Sequence, residues 1–314
     1  MTEKIIQATR DWFFRRNQGW VARDYESLYT IHGIQPVVAE MDRRYQLFSK
    51  RNAVDKKTIT DVQLRMKPVT DEKNVQYEII ARESIRFVYE LRGVLEHEQR
   101  VIDHVLIWQT EDITPRLVAH RHRAEWSSSH VKDRHERTDL WSDMQRSKRP
   151  PAPYQRMLAY RYAELWWDRT NPDYLAFAED CTNFVSQVLR AGNVPMHFTG
   201  KRESGWWFHH EDKVNWSYSW AVSHSLVHFL RNSSQFVHAD VVDDPRQLQI
   251  GDLIGYDWDG SGMYHHMAVV TAFDGNGDPL VNAHTVNSRM RHYSYEDSHA
   301  WTERTRYLFL HLNE

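Results

Sequence analysis

The chain has 314 residues, with 40 Lys and Arg against 43 Asp and Glu, and its formal net charge is −3 with histidine neutral. This balance provides no global basic excess, and we therefore expect no nucleic-acid partner. Hydrophobic residues make up 41% of the chain and aromatic residues 13%, which is enough for ordinary cores and excludes a disordered chain. At roughly 150 residues per domain, the length predicts two domains.

The first twenty residues, MTEKIIQATRDWFFRRNQGW, lack the apolar segment and small-residue cleavage site of a secretory signal. No window approaches the run of about 18 apolar residues that spans a membrane, so we expect no membrane partner. A single cysteine excludes an intrachain disulfide and favours a reducing compartment. The sequence therefore favours the cytoplasm, with export by a non-classical route as the alternative.

Residues 1–126 are predicted to form a helical segment followed by strands. In EKIIQATRDWFF, the side chains of Ile5, Ala8, Trp12 and Phe13 lie near one helix face. Period-two apolar runs then predict an antiparallel sheet with one wet face. The four runs are DVQLRMKPV, NVQYEIIARESIRFVYELR, RVIDHVLIWQTED and RLVAHRHRAEW. Helices followed by four such strands resemble a cystatin-like or nuclear-transport-factor-like roll in architecture, a resemblance that implies no function.

Residues 127–153 are polar, charged and end in prolines, which predicts a polar linker. The residues of the first domain, 1–126, indicate neither its role nor a protein partner for it. Residues 154–314 place helical segments first and apolar strands afterwards. The strands are GDLIGYDW, HHMAVVTAF, PLVNAHTV and RTRYLFLHL, with the turn sequence DGNGDP between the second and third. The whole chain is therefore predicted to be α+β, with helices preceding an antiparallel sheet in each domain.

Cys181 stands at the start of a predicted helix, CTNFVSQVLRAGN, where Asp180 is a candidate N-cap. A free thiol has a pKa of about 8.5, and the unpaired N–H groups of a helix N-terminus favour its anion. An ionised Asp180 opposes that anion, so a histidine must supply further stabilisation as an imidazolium. This requirement makes Cys181 a candidate nucleophile; the alternative is a small buried hydrophobic residue.

His265 and His266 open the apolar strand MAVV and are the candidate bases. Adjacent strand residues point to opposite faces, so only one of the two can meet Cys181, and the pattern does not choose between them. The next strand carries Asn282 and His284 on one shared face. Either residue could hydrogen-bond the second nitrogen of the base and orient its ring.

The ordered motifs DCTNFVSQ, IGDLIGYD, HHMAVVT and NAHT resemble the bacterial putative amidase domain family, grouped with papain-like NlpC-type and CHAP-type amidohydrolases. The resemblance covers residues 154–312 and leaves the first domain outside it. It implies Cys181 as the nucleophile, His266 as the base, and Asn282 or His284 as the third polar member. The implied reaction forms a thioester, with the backbone N–H of Cys181 meeting the oxyanion.

Four tryptophans stand between the candidate nucleophile and base, and they are candidates for lining a substrate groove: Trp206, Trp207, Trp216 and Trp220. The alternative is that these large aromatic side chains fill the core. No HExxH motif or zinc-ligand spacing is present, so we predict no metal and no cofactor.

The sequence thus predicts a cysteine amidase or peptidase whose substrate is a peptide, with peptidoglycan fragments one class of candidate. Two alternatives use the same scaffold. A non-catalytic binding module would retain the fold without an activated thiol, and an acyltransferase would pass the thioester to an amine instead of water.

Overall fold

The protein is represented by a computed structural model. It describes residues 2–23, 33–71, 74–111, 114–122, 153–210, 214–233 and 237–313, together with residues 25, 28, 29 and 31. Within these residues, no helix combines the length and apolarity needed to cross a bilayer. The predicted linker over 127–153 lies, except for its last residue, outside the described part of the chain.

The chain divides into two compact units. The first comprises Met1–Glu125 together with Ser294–Trp301, and the second comprises Trp126–Tyr293 and Thr302–Glu314. The sequence divides the chain near the same place, but it gives no indication that eight residues from near the end of the chain belong with the first unit.

Among its described residues, the first unit has two helices and four antiparallel strands, in the order that the sequence predicts. They are α1 (Thr2–Ala22), α2 (Gln35–Arg51), β1 (Ala53–Asp71), β2 (Asn74–Leu91), β3 (Val94–Glu111) and β4 (Thr114–His122). The strands pair in chain order, each with the next. In β2 every odd-numbered residue from 79 to 91 is buried, and in β3 every even-numbered residue from 98 to 108. This alternation produces one core face and one wet face.

Charged side chains interrupt the buried stripe of β2. Glu83 is fully buried, and Arg16 of α1 lies 2.5 Å from its carboxylate. Asn17 donates to the other carboxylate oxygen at 2.7 Å, and the ring of His104 lies 3.0 Å from Glu83. Burial alone raises the pKa of Glu83, but Arg16, His104 and Asn17 together lower it to about 2.

A second buried network explains why the segment Ser294–Trp301 belongs to this unit. Arg44 donates to Glu98 at 2.7 Å, and Arg100 donates to Glu40 at 2.7 Å. Arg100 also donates to Asp297. Both guanidinium groups are about 1% exposed, so each charge requires several close acceptors to remain buried. Asp297 supplies one of them from the far end of the chain.

The second unit has four helices and eight strands among its described residues. The helices are α3 (Arg156–Trp166), α4 (Cys181–Ala191), α5 (Tyr218–Ala221) and α6 (Ser223–Asn232). The strands are β5 (Phe208–His209), β6 (Asn215–Trp216), β7 (Ala239–Val242), β8 (Leu253–Asp257), β9 (His266–Phe273), β10 (Pro279–Ala283), β11 (Asn287–His292) and β12 (Arg306–Leu312). Six of them form an antiparallel sheet in the order β11-β10-β9-β8-β12-β7, while β5 and β6 form a separate hairpin.

Helix α4 packs its apolar face on this sheet. Phe184 and Val188 belong to the same buried cluster as Met267 and Val269 of β9. The helix ends at Gly192, which has an ordinary φ of −73°. A Cβ at this position would meet the ring of Tyr154 at 2.4 Å, so the close approach of that ring requires glycine here.

The Gly-Asp pair Gly251 and Asp252 leads into β8 and has a structural role. Gly251 has a φ of +91°, a left-handed conformation that favours glycine. The carboxylate of Asp252 is buried and accepts from Arg156 at 2.6 Å, while the ring of His311 lies 2.7 Å from it. These contacts link the start of α3 to the last strand of the sheet.

Candidate active site

Cys181 is the first residue of α4, as the sequence predicts, but Asp180 does not cap the helix in the expected way. Its side chain makes no hydrogen bond to a backbone N–H of the first turn. One carboxylate oxygen instead accepts from the backbone N–H of Phe177 at 3.0 Å and from the side-chain amide of Asn183 at 2.9 Å. The other oxygen lies 2.7 Å from Nδ1 of His284.

The thiol of Cys181 is enclosed by polar groups. Its side chain is buried, with 5% of the residue exposed, and Sγ lies 3.7 Å from the hydroxyl of Thr182 and 3.8 Å from that of Ser223. The two hydroxyls are 2.8 Å apart, and the backbone of Met267 also hydrogen-bonds the sulfur. Burial raises the pKa of the thiol, and the charge of Asp180 raises it further against these hydrogen bonds. The enclosed thiol is therefore protonated at neutral pH.

His266 begins β9, and the peptide bond that joins it to Met267 lies at the sulfur. Its imidazole packs with ring centroids 5.3 Å from Tyr256 and 5.7 Å from Trp258. Because Met267 faces the core beneath α4, the alternation of the strand directs His266 to the opposite face. Burial, aided by the charge of Arg291, lowers the pKa of His266 to about 3.

These two pKa directions differ from the sequence-based expectation of a thiolate beside an imidazolium. Both groups lose their charged forms because burial disfavours the thiolate and the imidazolium alike. The thiol and the imidazole are therefore both neutral, and the alternation of β9 directs the ring of His266 away from the face on which α4 packs. None of the hydrogen-bond partners of Sγ is His266.

His265 directly precedes β9, and its side chain is partly exposed. Its Nδ1 lies 4.0 Å from a carboxylate oxygen of Asp257 and accepts from the backbone N–H of Trp258 at 3.4 Å. Ligand atoms of Asp257, Asp259 and His265 lie within 4.8 Å of one another. Asp257 also accepts from the backbone of Gly262 at 2.7 Å, so the loop already satisfies part of this carboxylate.

A second group of possible metal-ligating side chains, Asp274, Asp278 and His292, also has its ligand atoms within 4.8 Å. Here Arg246 lies 3.1 Å from Asp278, and the ring of His292 lies 3.7 Å from it. The interaction with His292, followed by that with Arg246, lowers the pKa of Asp278 to about 2. These two side chains therefore already stabilise the carboxylate of Asp278.

Asn282 is buried on the helix side of the sheet, where it contacts α3. Its amide donates to Glu164 at 2.9 Å, and its oxygen accepts from the hydroxyl of Thr271 and the backbone N–H of Met290, each at 3.0 Å. None of these partners is a histidine. Asn282 therefore makes no hydrogen bond to a candidate base, as the predicted orienting role would require. Its contacts instead join α3 to β9 and β11.

His284 lies just beyond β10 and contacts the start of α4. Nδ1 lies 2.7 Å from Asp180, and Nε2 lies 2.7 Å from the carbonyl oxygen of Trp166. The ring stacks on Phe184 at a centroid distance of 4.1 Å and an interplanar angle of 16°. The structure therefore places His284 beside Asp180, the residue that precedes Cys181, and both of its ring nitrogens have hydrogen-bond partners.

The candidate groove tryptophans separate into two classes. Trp206, Trp207 and Trp220 are at most 1% exposed, and their indole N–H groups donate to Ser186, to the carbonyl of Ser204 and to Asn183. Such rings are core side chains with satisfied polar ends, which corrects the groove interpretation for these three. Trp216 is half-buried, packs against Phe177 and lies under the guanidinium of Arg202.

Two residues close to the sulfur were not singled out by the sequence: Thr182 and Ser223. Thr182 directly follows the cysteine, so the predicted helix start was sufficient to place its hydroxyl near the sulfur. Ser223 begins α6, forty-two residues further along the chain, and no local pattern places it against α4. The contact depends on how two helices pack, which periodicity does not specify.

Together, the fold and site define a mixed helix and antiparallel-sheet protein whose second unit buries one thiol at a helix N-terminus. Residues 153–310, about half of the chain, match the family described as "Putative amidase domain". The chain belongs to this family, which confirms the resemblance to the putative amidase domain family over residues 154–312 and indicates an amidase-type hydrolase. The grouping with papain-like NlpC-type and CHAP-type enzymes stays a prediction.

Two curated proteins of Bacillus subtilis (strain 168) are similar to the chain. The uncharacterized protein YhbB is 35% identical over 278 residues, which cover 87% of this chain and 85% of YhbB. The uncharacterized protein YjcM is 25% identical over 142 residues, which cover 43% of this chain and 31% of YjcM. No solved structure matches the chain. The similarity to YhbB extends over most of both chains and therefore includes the first unit.

Proposed function

We propose that this protein is a cysteine-dependent amidohydrolase or peptidase with Cys181 as its nucleophile. The observation that carries the proposal is the position of the chain's one cysteine. It opens α4 in the domain that matches the amidase family, and its sulfur meets two hydroxyls and the backbone of Met267. A helix N-terminus favours negative charge on sulfur. The helix-before-sheet order agrees with a papain-like domain, and the first unit's order with a cystatin-like roll.

The reaction we propose proceeds through a thioester. His266 takes the thiol proton as sulfur attacks the amide carbonyl, and the C–N bond breaks as His266 returns this proton to the leaving amine. Water then donates a proton to His266 and adds its hydroxide to the acyl carbon, which releases a carboxylic acid and the free thiol. The backbone N–H of Cys181 is the proposed oxyanion donor.

The enclosed, neutral thiol sets a condition on this mechanism. Both the sulfur and the imidazole must lose part of their covering, because burial raises the pKa of the thiol and lowers that of the ring. The ring of His266 must also turn towards the sulfur from the opposite face of β9 before the proton can move. We propose that substrate binding provides this change. Trp216, the half-buried member of the four tryptophans, is the one with surface left to contact a peptide.

The test measures the release of new amines from purified peptidoglycan and from a panel of peptide amides, detected with an amine-reactive fluorophore. We expect release by the unmodified protein, loss of release by Cys181→Ser and Cys181→Ala, and an acyl adduct on Cys181 in rapidly quenched samples by intact mass. Undiminished release by Cys181→Ala would exclude the proposal. Added hydroxylamine that diverts the product to a hydroxamate would indicate acyl transfer.

A non-catalytic binding module is the second candidate, and the 5% exposure and raised pKa of the thiol favour it. Under this alternative, Cys181 is a buried core side chain. The unmodified protein would then react with iodoacetamide more slowly than a free thiol at neutral pH in the presence of every peptide tested. Faster alkylation in the presence of a peptide amide would instead support an activated thiol that substrate uncovers.

A further inference from the structure

Both ring nitrogens of His284 face hydrogen-bond acceptors. Nε2 lies 2.7 Å from the carbonyl oxygen of Trp166, which can only accept, so this nitrogen carries a proton. Nδ1 lies 2.7 Å from Oδ2 of Asp180. One further proton must therefore lie between the ring and the carboxyl group, either as an imidazolium–carboxylate pair or as a neutral ring beside a carboxylic acid.

The other oxygen of Asp180 decides between these two forms. Oδ1 accepts from the backbone N–H of Phe177 at 3.0 Å and from the amide of Asn183 at 2.9 Å. A carboxyl group that receives donors at both oxygens is stabilised as a carboxylate. The proton therefore belongs to the ring of His284, which becomes an imidazolium.

Two other features favour a cation at His284. Trp166 is the last residue of α3, and the free carbonyls at a helix C-terminus attract positive charge. Phe184 presents its ring face to the imidazole at 4.1 Å, the arrangement in which an aromatic face attracts a cation. His284 therefore joins the C-terminus of α3 to the residue that precedes α4, with charge complementarity at each contact.

We infer that His284 is a positioning residue for Cys181, a doubly protonated cation that fixes Asp180 at the start of α4 and cancels its negative charge beside the sulfur. This inference rests on the proposed function, since it describes a residue that makes the thiolate of the proposed nucleophile easier to form. It assigns His284 a role different from orienting the base, because neither of its nitrogens is available to His266.

The neighbourhood of the pair shows what this charge affects. The charge of Asp180 raises the pKa of Cys181 and contributes to raising that of Tyr162 on α3, although burial is the larger cause for both. Removing the imidazolium leaves Asp180 uncompensated, and the thiolate becomes harder to form. Removing both charges should return the ionisation of the thiol to that of the unmodified protein.

The experiment measures the pH dependence of iodoacetamide alkylation. Since Cys181 is the chain's one cysteine, the rate reports this thiol alone. We expect His284→Gln to move the thiol ionisation to higher pH and to slow alkylation at pH 7.5 roughly tenfold. The double variant Asp180→Asn/His284→Gln should return the profile to within about twofold of the unmodified protein. His238→Gln is the matched control, because His238 pairs with Asp240 at 3.3 Å on an exposed surface.

An unchanged profile in His284→Gln, or a double variant that stays as slow as the single variant, would overturn the inference. If the variants do not fold, nitrogen-15 NMR of the unmodified protein still decides it, because an imidazolium shows protons on both ring nitrogens of His284. A ring with one bare nitrogen would exclude the inference. Thiol ionisation and ring protonation do not depend on turnover, so failure of the proposed function leaves both readouts interpretable.

Discussion

Two buried ionisable sites, one in each unit, differ in what surrounds them. In the first unit, Glu83 has Arg16, Asn17 and His104 around its carboxylate and remains charged, with its pKa lowered to about 2. In the second unit, Cys181 and His266 are equally covered, but burial outweighs their polar contacts and keeps both neutral. The difference shows that covering a group does not set its charge; the number of opposed charges and donors around it does.

Replacing the two tandem histidines separately tests the catalytic side of this comparison and has the largest expected effect. If His266 is the base, as proposed, His266→Ala should lower kcat/KM by about 10³-fold, because the group that takes the thiol proton is lost. His265→Ala should lower it less than about tenfold, since His265 interacts with Asp257 and Trp258. The measurement is amine release at saturating and limiting substrate. The reverse ranking would make His265 the base.

Breaking the ion pair of the first unit should reduce stability strongly. Arg16→Met leaves Glu83 buried without its guanidinium partner, and we expect a loss of about 3–5 kcal/mol in the free energy of unfolding. Urea denaturation followed by circular dichroism measures it. Lys56→Met is the matched control, because its pair with Glu90 is more than two-fifths exposed and should contribute less than about 1 kcal/mol. Equal losses in the two variants would show that the buried network is not specially stabilising.

Acid should destabilise the folded chain through His266. The folded ring stays neutral down to a pKa of about 3, whereas the unfolded ring binds a proton below its ordinary 6.5. The unfolded state therefore binds more protons, and stability is lost as the pH falls from 6.5 towards 3, by at most about 1.4 kcal/mol per pH unit from this one group. His266→Gln should remove this part of the slope in urea titrations between pH 4 and 7, while His238→Gln should not. An identical slope in His266→Gln would contradict the expectation.

Removing one hydroxyl at the sulfur should have the smallest effect. Ser223→Ala deletes a group 3.8 Å from Sγ, whose hydrogen bond favours the thiolate. We expect alkylation at neutral pH to slow about two- to fivefold, which corresponds to a modest rise in the thiol pKa. Ser219→Ala is a matched control, because that buried hydroxyl bonds Ser217 and the carbonyl of Gly205. Faster alkylation in Ser223→Ala would mean that Ser223 mainly covers the sulfur.

Local patterns predicted much of the fold. Alternating apolar residues gave the strands of the first unit, and the same stripes contain Glu83 and Arg100, which the alternation places on the buried face. A charged residue on such a stripe indicates a buried ion pair, but the pattern does not identify the partner residue. Glu83 meets Arg16 across 67 residues, and Arg100 meets Asp297 across 197. Pairings at such separations depend on tertiary packing, which no local period encodes.

The site shows the same division between local and distant information. The helix start at Cys181 followed from sequence alone, and so did the presence of a strand beginning at His266. The pairing of His284 with Asp180, the packing of Ser223 on the sulfur and the burial of Trp206 did not. Each of these depends on tertiary packing, and local periodicity does not distinguish an aromatic ring that lines a groove from one that fills a core.

The placement of Ser294–Trp301 in the first unit has a consequence for how the gene can recombine during evolution. Asp297 and the cations that hold it, Arg44 and Arg100, are encoded almost two hundred residues or more apart. Neither compact unit therefore corresponds to one uninterrupted stretch of gene. A recombination event near residue 153 would separate an acid from both of its bases, so the two halves are expected to be passed on together, in agreement with a relative that is similar along most of its length.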